Sequence, residues 1–220
     1  VGNGIWKSSD GGVTFTHLSS TENNATNDWA YVNRLAADNT DPNKIYAATG
    51  DGLKMSTDGG ATWNTSIWAN PPTNTIPIAA SFQDLRVASN GTVLTSTGGG
   101  VYRKGPADTD FSAITSAFSG ISGSGRLEFC FSPSDPNYAY CCATSGNLHN
   151  LYQSKDNGVT WNIIVPGGSG PDHLFGDNTQ GWYDLAVGVF PDDPEHILVG
   201  GVELYGWSGA PEHPYSSNLR

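Results

Sequence analysis

A β-propeller, an all-β fold of repeated four-stranded antiparallel sheets called blades, is predicted by three features of this sequence. An octapeptide with the pattern Ser-x-Asp-x-Gly-x-Thr-aromatic occurs three times. Its aspartates keep a constant spacing, 48 residues from Asp10 to Asp58 and 98, or twice 49, from Asp58 to Asp156. The 220 residues include 28 Gly and 13 Pro, and only 14% are charged, which favours turns over long helices. A repeat of this size, with four strands, is typical of one blade.

The octapeptide is predicted to be a structural turn. Its aspartate can accept hydrogen bonds from backbone N–H groups of the same turn, and its glycine supplies the positive φ that the turn requires. Its aromatic residue can pack between neighbouring sheets. Because these residues recur once per blade, a structural role is favoured over a cation or glycan site. The residues given this role are Ser8, Asp10, Gly12, Phe15, Ser56, Asp58, Gly60, Trp63, Ser154, Asp156, Gly158 and Trp161.

Turn-forming residues recur with the same period and divide each repeat into strands. Pro presets φ and Gly accepts a positive φ, so Asp-Pro and Asn-Gly favour tight turns between strand-like runs. These turns are Asp41-Pro42-Asn43, Asn90-Gly91, Asp135-Pro136-Asn137 and Asp193-Pro194-Glu195. In the unit 29–66, the predicted strands are 31–37, 44–49, 53–56 and 61–66.

The repeats predict a single propeller segment of about four blade equivalents. The expected divisions are a blade end at 1–28, blades at 29–80, 81–123 and 124–180, and a partial blade at 181–220. Degenerate octapeptide copies lie at Val101–Gly105 and Leu204–Ser208. Because propellers close with about four to eight blades, the segment forms a four-bladed ring or, as we favour, part of a larger propeller. Further sequence or another chain would complete that larger ring.

Composition excludes several classes of partner. With 10 Lys and Arg against 21 Asp and Glu, and no basic stripe, nucleic acid and anionic membranes are poor candidates. No apolar run approaches the roughly 18 residues of a membrane span, so membrane insertion is not expected. We expect no cofactor and no metal, because the five His residues lack metal-ligand spacing. The acidic turns 38–41, 108–110 and 192–193 have oxygen ligands suited to Ca²⁺, but solvated turns are the favoured interpretation.

The three cysteines leave the redox compartment open. Reflection about the Asp135-Pro136 turn places Cys130 opposite Cys141 to within one residue, so a strained cross-strand disulfide is one alternative. A vicinal bond between Cys141 and Cys142 is another. The repeat aligns this pair with small, apolar positions of other blades, which favours free, buried thiols.

The three octapeptides resemble the Asp-box, or bacterial neuraminidase, repeat. That repeat occurs in sialidases, xyloglucanase-type glycoside hydrolases, sortilin-type receptors and a photosystem assembly factor. The resemblance implies a β-propeller over nearly the whole chain, but enzymes and receptors share the repeat, so it does not imply one function. A narrower resemblance, to large secreted propellers of Bacteroidetes with a C-terminal type IX secretion signal that this chain does not contain, is carried by Gln180–Val187, Pro191–Pro194 and Val199–Val202.

The sialidase and xyloglucanase resemblances imply two kinds of charged site. Sialidases hold a substrate carboxylate with three arginines, and Arg34, Arg86 and Arg126 lie in or beside first strands, which line a propeller axis. Ion pairs at the rim are the alternative, and the sialidase Phe/Tyr-Arg-Ile-Pro motif is absent. A xyloglucanase-type enzyme needs two carboxylates about 5–10 Å apart across a cleft. The candidates are Asp84, Glu128 and Asp184, and the sequence does not single out a catalytic pair.

Aromatic residues gather at the predicted axial ends of the first strands. They can stack on sugar rings or simply fill the space between blades. They are Trp29, Tyr31, Phe82, Trp182 and Tyr183. With the axial charges, they predict a secreted or cell-surface propeller module that binds a glycan or protein without catalysis. The alternatives are a glycoside hydrolase and a sortilin-like peptide receptor or assembly factor.

Overall fold

The computed structural model describes residues 2–24, 29–64, 80–118, 125–168, 180–201 and 204–209. Within these ranges the secondary structure is β apart from two 3₁₀ turns, at Ser19–Thr21 and Thr115–Ala117. None of the described helices is long and apolar enough to cross a membrane.

The described residues form sixteen strands in five antiparallel sheets, and each sheet takes its strands in sequence order. The first sheet has β1 (Trp6–Lys7) and β2 (Thr16–His17), and the second has β3 (Val32–Asp38), β4 (Asp41–Thr49) and β5 (Gly52–Ser56). The third has β6 (Phe82–Val87), β7 (Val93–Thr97), β8 (Val101–Lys104) and β9 (Ser112–Ala113). The fourth has β10 (Arg126–Phe131), β11 (Ala139–Ser145), β12 (Asn147–Ser154) and β13 (Asn162–Gly168), and the fifth has β14 (Ala186–Val189), β15 (Ile197–Gly200) and β16 (Leu204–Trp207).

This order of sheets confirms the predicted all-β fold with four-stranded antiparallel blades, consistent with part of a β-propeller. The first strands follow one another in space, because β3 contacts β6, β6 contacts β10 and β10 contacts β14. The predicted fourth strand of the second sheet differs. Only a single bridge joins Asn64 to Met55, and 65–66 lie outside the described residues.

Each octapeptide folds around its aspartate. In the copy of the fourth sheet, Asp156 Oδ1 accepts hydrogen bonds from the backbone N–H groups of Thr160 (2.8 Å) and Val159 (3.1 Å). Its other oxygen accepts from the Thr160 hydroxyl at 2.5 Å, while Gly158 supplies the positive φ of 82°. The same pattern of donors lowers the pKa of both Asp10 and Asp58 to about 2.

The octapeptides also connect parts of the fold. Within a sheet, the Asn157 N–H donates to the carbonyl of Asn137 in the turn between β10 and β11, at 2.8 Å. Between sheets, Arg103 Nε in β8 donates to the Asn157 carbonyl at 2.9 Å, and Lys7 Nζ donates to the Gly59 carbonyl at 2.8 Å. Lys7 of β1 and Arg103 of β8 therefore each join their own sheet to the octapeptide of the following sheet.

The second sheet has no cation at the position that corresponds to Lys7 and Arg103. Met55 immediately precedes the octapeptide serine Ser56, as Lys7 precedes Ser8, and the third sheet that follows has a degenerate octapeptide. A cation therefore occurs at the two positions where the next octapeptide offers a carbonyl, and an uncharged side chain, Met55 or Gln153, occurs where the next octapeptide is degenerate.

Replacing Arg103 by Met is expected to lower the free energy of unfolding by about 1–3 kcal/mol, because the carbonyl of Asn157 loses a charged donor in a partly buried hydrogen bond. Arg103 is only 15% exposed, which limits replacement of that donor by water. The measurement is equilibrium unfolding in urea. Lys155→Met is the control, because Lys155 is 52% exposed and its ion pair should contribute about 1 kcal/mol or less. Equal effects of the two substitutions would contradict this role for Arg103.

Large side chains fill the spaces between sheets. Trp161 packs against Phe118 with ring centroids 5.1 Å apart, and Trp63 packs edge-on against Trp29 at the same separation. Phe15 differs from the prediction for the octapeptide aromatics. It is 58% exposed because no sheet of the described residues covers it.

The cysteines are free thiols in the structure. Across β10 and β11, Cys130 lies opposite Tyr140 and Cys141 lies opposite Phe129. Cys130 and Cys141 are therefore one residue away from the directly opposed positions of the predicted cross-strand disulfide. Burial raises the pKa of Cys130 to about 12 and that of Cys142 further, so these thiols are poor nucleophiles.

Candidate functional site

Three charged residues occupy the same position in three neighbouring first strands. In the cross-strand register, Arg34 of β3, Asp84 of β6 and Glu128 of β10 are equivalent. Ala186 takes this position in β14. Because the first strands pack side by side, the register brings a cation and two carboxylates of different blades together at the axis.

Asp84 is the buried centre of this axial cluster, with no exposed surface. Its Oδ1 accepts a hydrogen bond from Arg34 Nε at 2.9 Å, and its Oδ2 accepts one from the Phe129 backbone N–H at 2.7 Å. Arg86 Nε lies 3.4 Å from the same Oδ2 and donates to the Phe129 carbonyl at 2.7 Å. Asp84 thus joins the first strands of three blades.

Glu128 is the second carboxylate of the axial cluster and is 4% exposed. Its Oε1 accepts hydrogen bonds from the Nη2 groups of both Arg34 and Arg86. Its Oε2 accepts none from the described residues, and the nearest cation is Arg126 Nη2 at 3.6 Å. Burial, followed by the charge of Asp84, raises the pKa of Glu128 against the pull of the three guanidiniums.

The three guanidiniums form the partly exposed side of the axial cluster. The side chains of Arg34, Arg86 and Arg126 are 30%, 29% and 32% exposed, whereas both carboxylates are buried. Arg34 and Arg86 each bind both carboxylates, and Arg126 approaches only one. Three positive and two negative side chains leave a local excess of one positive charge in a chain whose net charge is −11.

A cavity of about 220 Å³ lies beside Arg126. It is lined by Asn33, Gln83, Gly125, Arg126 and Trp182. Sequence reasoning missed the two amides. Both sit at the register shift of their first strands, between Val32 and Arg34 in β3 and between Phe82 and Asp84 in β6. Such bulges redirect a side chain, and the signal that points to them is a polar residue directly before an equivalent axial position.

The predicted aromatic residues have different environments. Trp29 is 2% exposed, with the Lys54 ammonium 4.5 Å from its ring centroid, and belongs to the core between the first two sheets. Tyr31, Trp182 and Tyr183 are 58%, 64% and 49% exposed. Trp182 and Tyr183 form an edge-on pair with centroids 4.3 Å apart. Trp182 is thus the predicted aromatic residue that borders the cavity.

The remaining candidates stand apart from the axial cluster. Asp184 is partly exposed just before β14, and its backbone N–H donates to the Gln180 carbonyl at 3.1 Å. No hydrogen bond or ion pair within the described ranges joins Asp184 or Tyr31 to the axial cluster. Phe82 is buried in the core between the second and third sheets and does not reach the surface.

This geometry bears on both kinds of predicted active site. The three arginines converge, but two of them are already bound to protein carboxylates and differ in this from an open carboxylate-binding triad. Asp84 and Glu128 share the guanidiniums of Arg34 and Arg86 and do not face each other across an open cleft. In this arrangement the guanidiniums pair with the two carboxylates and join the first strands of three blades.

Acidic turns in the described part of the chain use their carboxylates locally. Asp38 accepts from the Thr40 backbone N–H at 2.9 Å and lies 3.0 Å from Lys44 Nζ. Asp108 accepts from the Gly105 N–H at 2.7 Å. No group of three or more metal-ligating side chains occurs among the described residues.

No protein-family model matches the chain, and no curated protein sequence matches it. Solved structures share its fold at low sequence identity. The GH74 xyloglucanase from Xanthomonas campestris is 18% identical with a TM-score of 0.64, and the match covers 92% of this chain and 33% of that one. YCF48 bound to a D1 peptide is 15% identical with a TM-score of 0.52, covering 94% and 56%. The extracellular domain of a B. thetaiotaomicron protein is 13% identical with a TM-score of 0.59, covering 94% and 24%.

These similarities show a β-propeller fold and do not transfer a function, because all three identities are below 20%. The chain spans about a third of the length of the xyloglucanase that it matches.

Proposed function

We propose that this propeller segment is a non-catalytic binding module whose axial face binds a glycan. The observation that carries the proposal is the cavity at the start of the first strands, where the exposed Trp182 lies beside two amides and a guanidinium. Sugar rings present apolar C–H faces and many hydroxyls, which suit an aromatic face and amide side chains. The two nearby carboxylates are engaged with arginines, which supports binding rather than acid–base chemistry.

The glycan proposal is tested by binding of an oligosaccharide panel to wild-type protein and two tryptophan variants. Trp182→Ala should weaken binding by about tenfold or more, because a central aromatic contact is lost. Trp6→Ala is the matched control, since Trp6 is 58% exposed on β1 and does not line the cavity. Unchanged binding by Trp182→Ala, or binding only to peptides, would contradict the proposal.

A glycoside hydrolase is the second candidate, and one observation favours it. Glu128 has a buried oxygen that accepts no hydrogen bond in the described residues, together with a raised pKa, as an acid catalyst requires. The xyloglucanase fold similarity supports the same class at the level of fold. Release of reducing ends by the wild type, abolished in a folded Glu128→Gln variant, would establish hydrolysis. Binding without turnover across the panel would exclude it for those substrates.

We also propose that the module acts as a secreted or cell-surface part of a larger protein. The acidic chain, rich in Asn, Ser and Thr, is typical of extracellular propellers, and its match to an extracellular domain supports this placement at the level of fold. Further blades, from the same protein or another chain, would complete the ring.

A further inference from the structure

Among the described residues that line the cavity, Arg126 is a cation that the axial cluster engages only weakly. Arg126 is 3.6 Å from Glu128 Oε2 and donates a long hydrogen bond of 3.4 Å to the Trp182 carbonyl. Arg34, in contrast, is bound to both carboxylates. Since a guanidinium has five N–H donors, Arg126 retains several for a ligand, and its side chain is 32% exposed.

Gln83 lines the cavity, and its amide oxygen, Oε1, lies buried behind the cavity surface without a donor among the described residues. A buried carbonyl oxygen left in this state is costly, so a ligand hydroxyl that draws the Gln83 amide toward the cavity would stabilise it. The other amide is oriented by the protein, because Asn33 Nδ2 donates to the Phe82 carbonyl at 2.7 Å.

The size and shape of the cavity limit the part of the ligand that it holds to one ring. The cavity of about 220 Å³ is smaller than the roughly 300–1,000 Å³ typical of sites for drug-sized molecules. The exposed indole of Trp182, supported at its edge by Tyr183, forms one wall. The rest of a longer chain would extend into solvent.

We infer that this cavity binds a uronic acid residue of an acidic glycan. Arg126 pairs with the carboxylate, the Gln83 amide turns toward the cavity to accept a ring hydroxyl, and Trp182 stacks on the ring. The inference rests on the proposed glycan-binding function and specifies its ligand class. An acidic peptide offers the carboxylate but lacks the ring face and the hydroxyl donors that the other two residues match.

The test compares trigalacturonate with its fully methyl-esterified form, which keeps the rings and hydroxyls and loses the charge. Calorimetric titration of the wild type should give about tenfold weaker binding of the ester. Arg126→Gln should weaken trigalacturonate binding by about the same factor and leave ester binding unchanged. Trp182→Ala should weaken both. Lys155→Gln, a charge change directly after the last residue of β12, should change neither.

The outcomes separate this inference from the proposal on which it rests. Equal affinity for acid and ester, or equal losses in Arg126→Gln, would overturn the uronate inference while glycan binding stands. Tighter binding of hexaglutamate than of trigalacturonate would overturn it in favour of an acidic peptide. If the folded protein binds neither trigalacturonate nor any glycan of the panel, both the inference and the proposed function fail.

Discussion

Replacing Asp84 by Ala is expected to lower the free energy of unfolding by about 3–5 kcal/mol. The substitution leaves Arg34 and Arg86 with one carboxylate between them, and it leaves the buried Phe129 N–H without an acceptor. Removing one member of a buried ionic network is costly because the remaining charges were desolvated on folding. Equilibrium unfolding in urea measures the effect.

The control for Asp84→Ala is Glu195→Gln. Glu195 also pairs with a cation, Lys155, but its side chain is 43% exposed, so we expect a loss of about 1 kcal/mol or less. Asp84→Asn keeps the shape and one acceptor, and it should fall between the two. Should Asp84→Ala cost no more than the control, the axial cluster would not be holding the blades together.

The octapeptides and turns predict most of the fold because their effects are local. Asp156 forms its hydrogen bonds within four residues of itself, so the sequence pattern alone specifies the turn. The position of the first strands follows from the same period. This is why the axial placement of Arg34, Asp84 and Glu128 could be predicted from the repeat.

The connections within the axial cluster depend on the stagger between sheets, which the sequence does not encode locally. The pairing of Arg34 with both Asp84 and Glu128 spans three blades. Likewise, Trp29 and Trp182 both precede first strands, yet one is buried and the other is exposed. The difference arises from a neighbour on another element, Trp63, which packs on Trp29 and has no counterpart at Trp182 among the described residues.

Replacing Gly181 by Ala is expected to displace Trp182 and so to change the shape of the cavity. Gly181 precedes Trp182, and its N–H donates to the Gly146 carbonyl at 2.8 Å while its carbonyl accepts from the Thr144 hydroxyl at 2.7 Å. An added Cβ would lie 2.5 Å from the Gly146 oxygen and 2.9 Å from Thr144 Cβ, so this attachment must shift. We expect a loss of about 1–3 kcal/mol in stability, and glycan binding weakened by about tenfold as Trp182 moves.

Gly188→Ala in β14 is the matched control for Gly181→Ala, because an added Cβ there meets nothing within 4 Å. Urea unfolding and titration with the same glycan should both remain close to wild type for this variant. A Gly181→Ala protein that loses stability but binds as tightly as the wild type would show that Trp182 keeps its position without the attachment to Gly146. In that case the first strand of the fifth sheet, rather than the turn before it, would position the aromatic wall of the cavity.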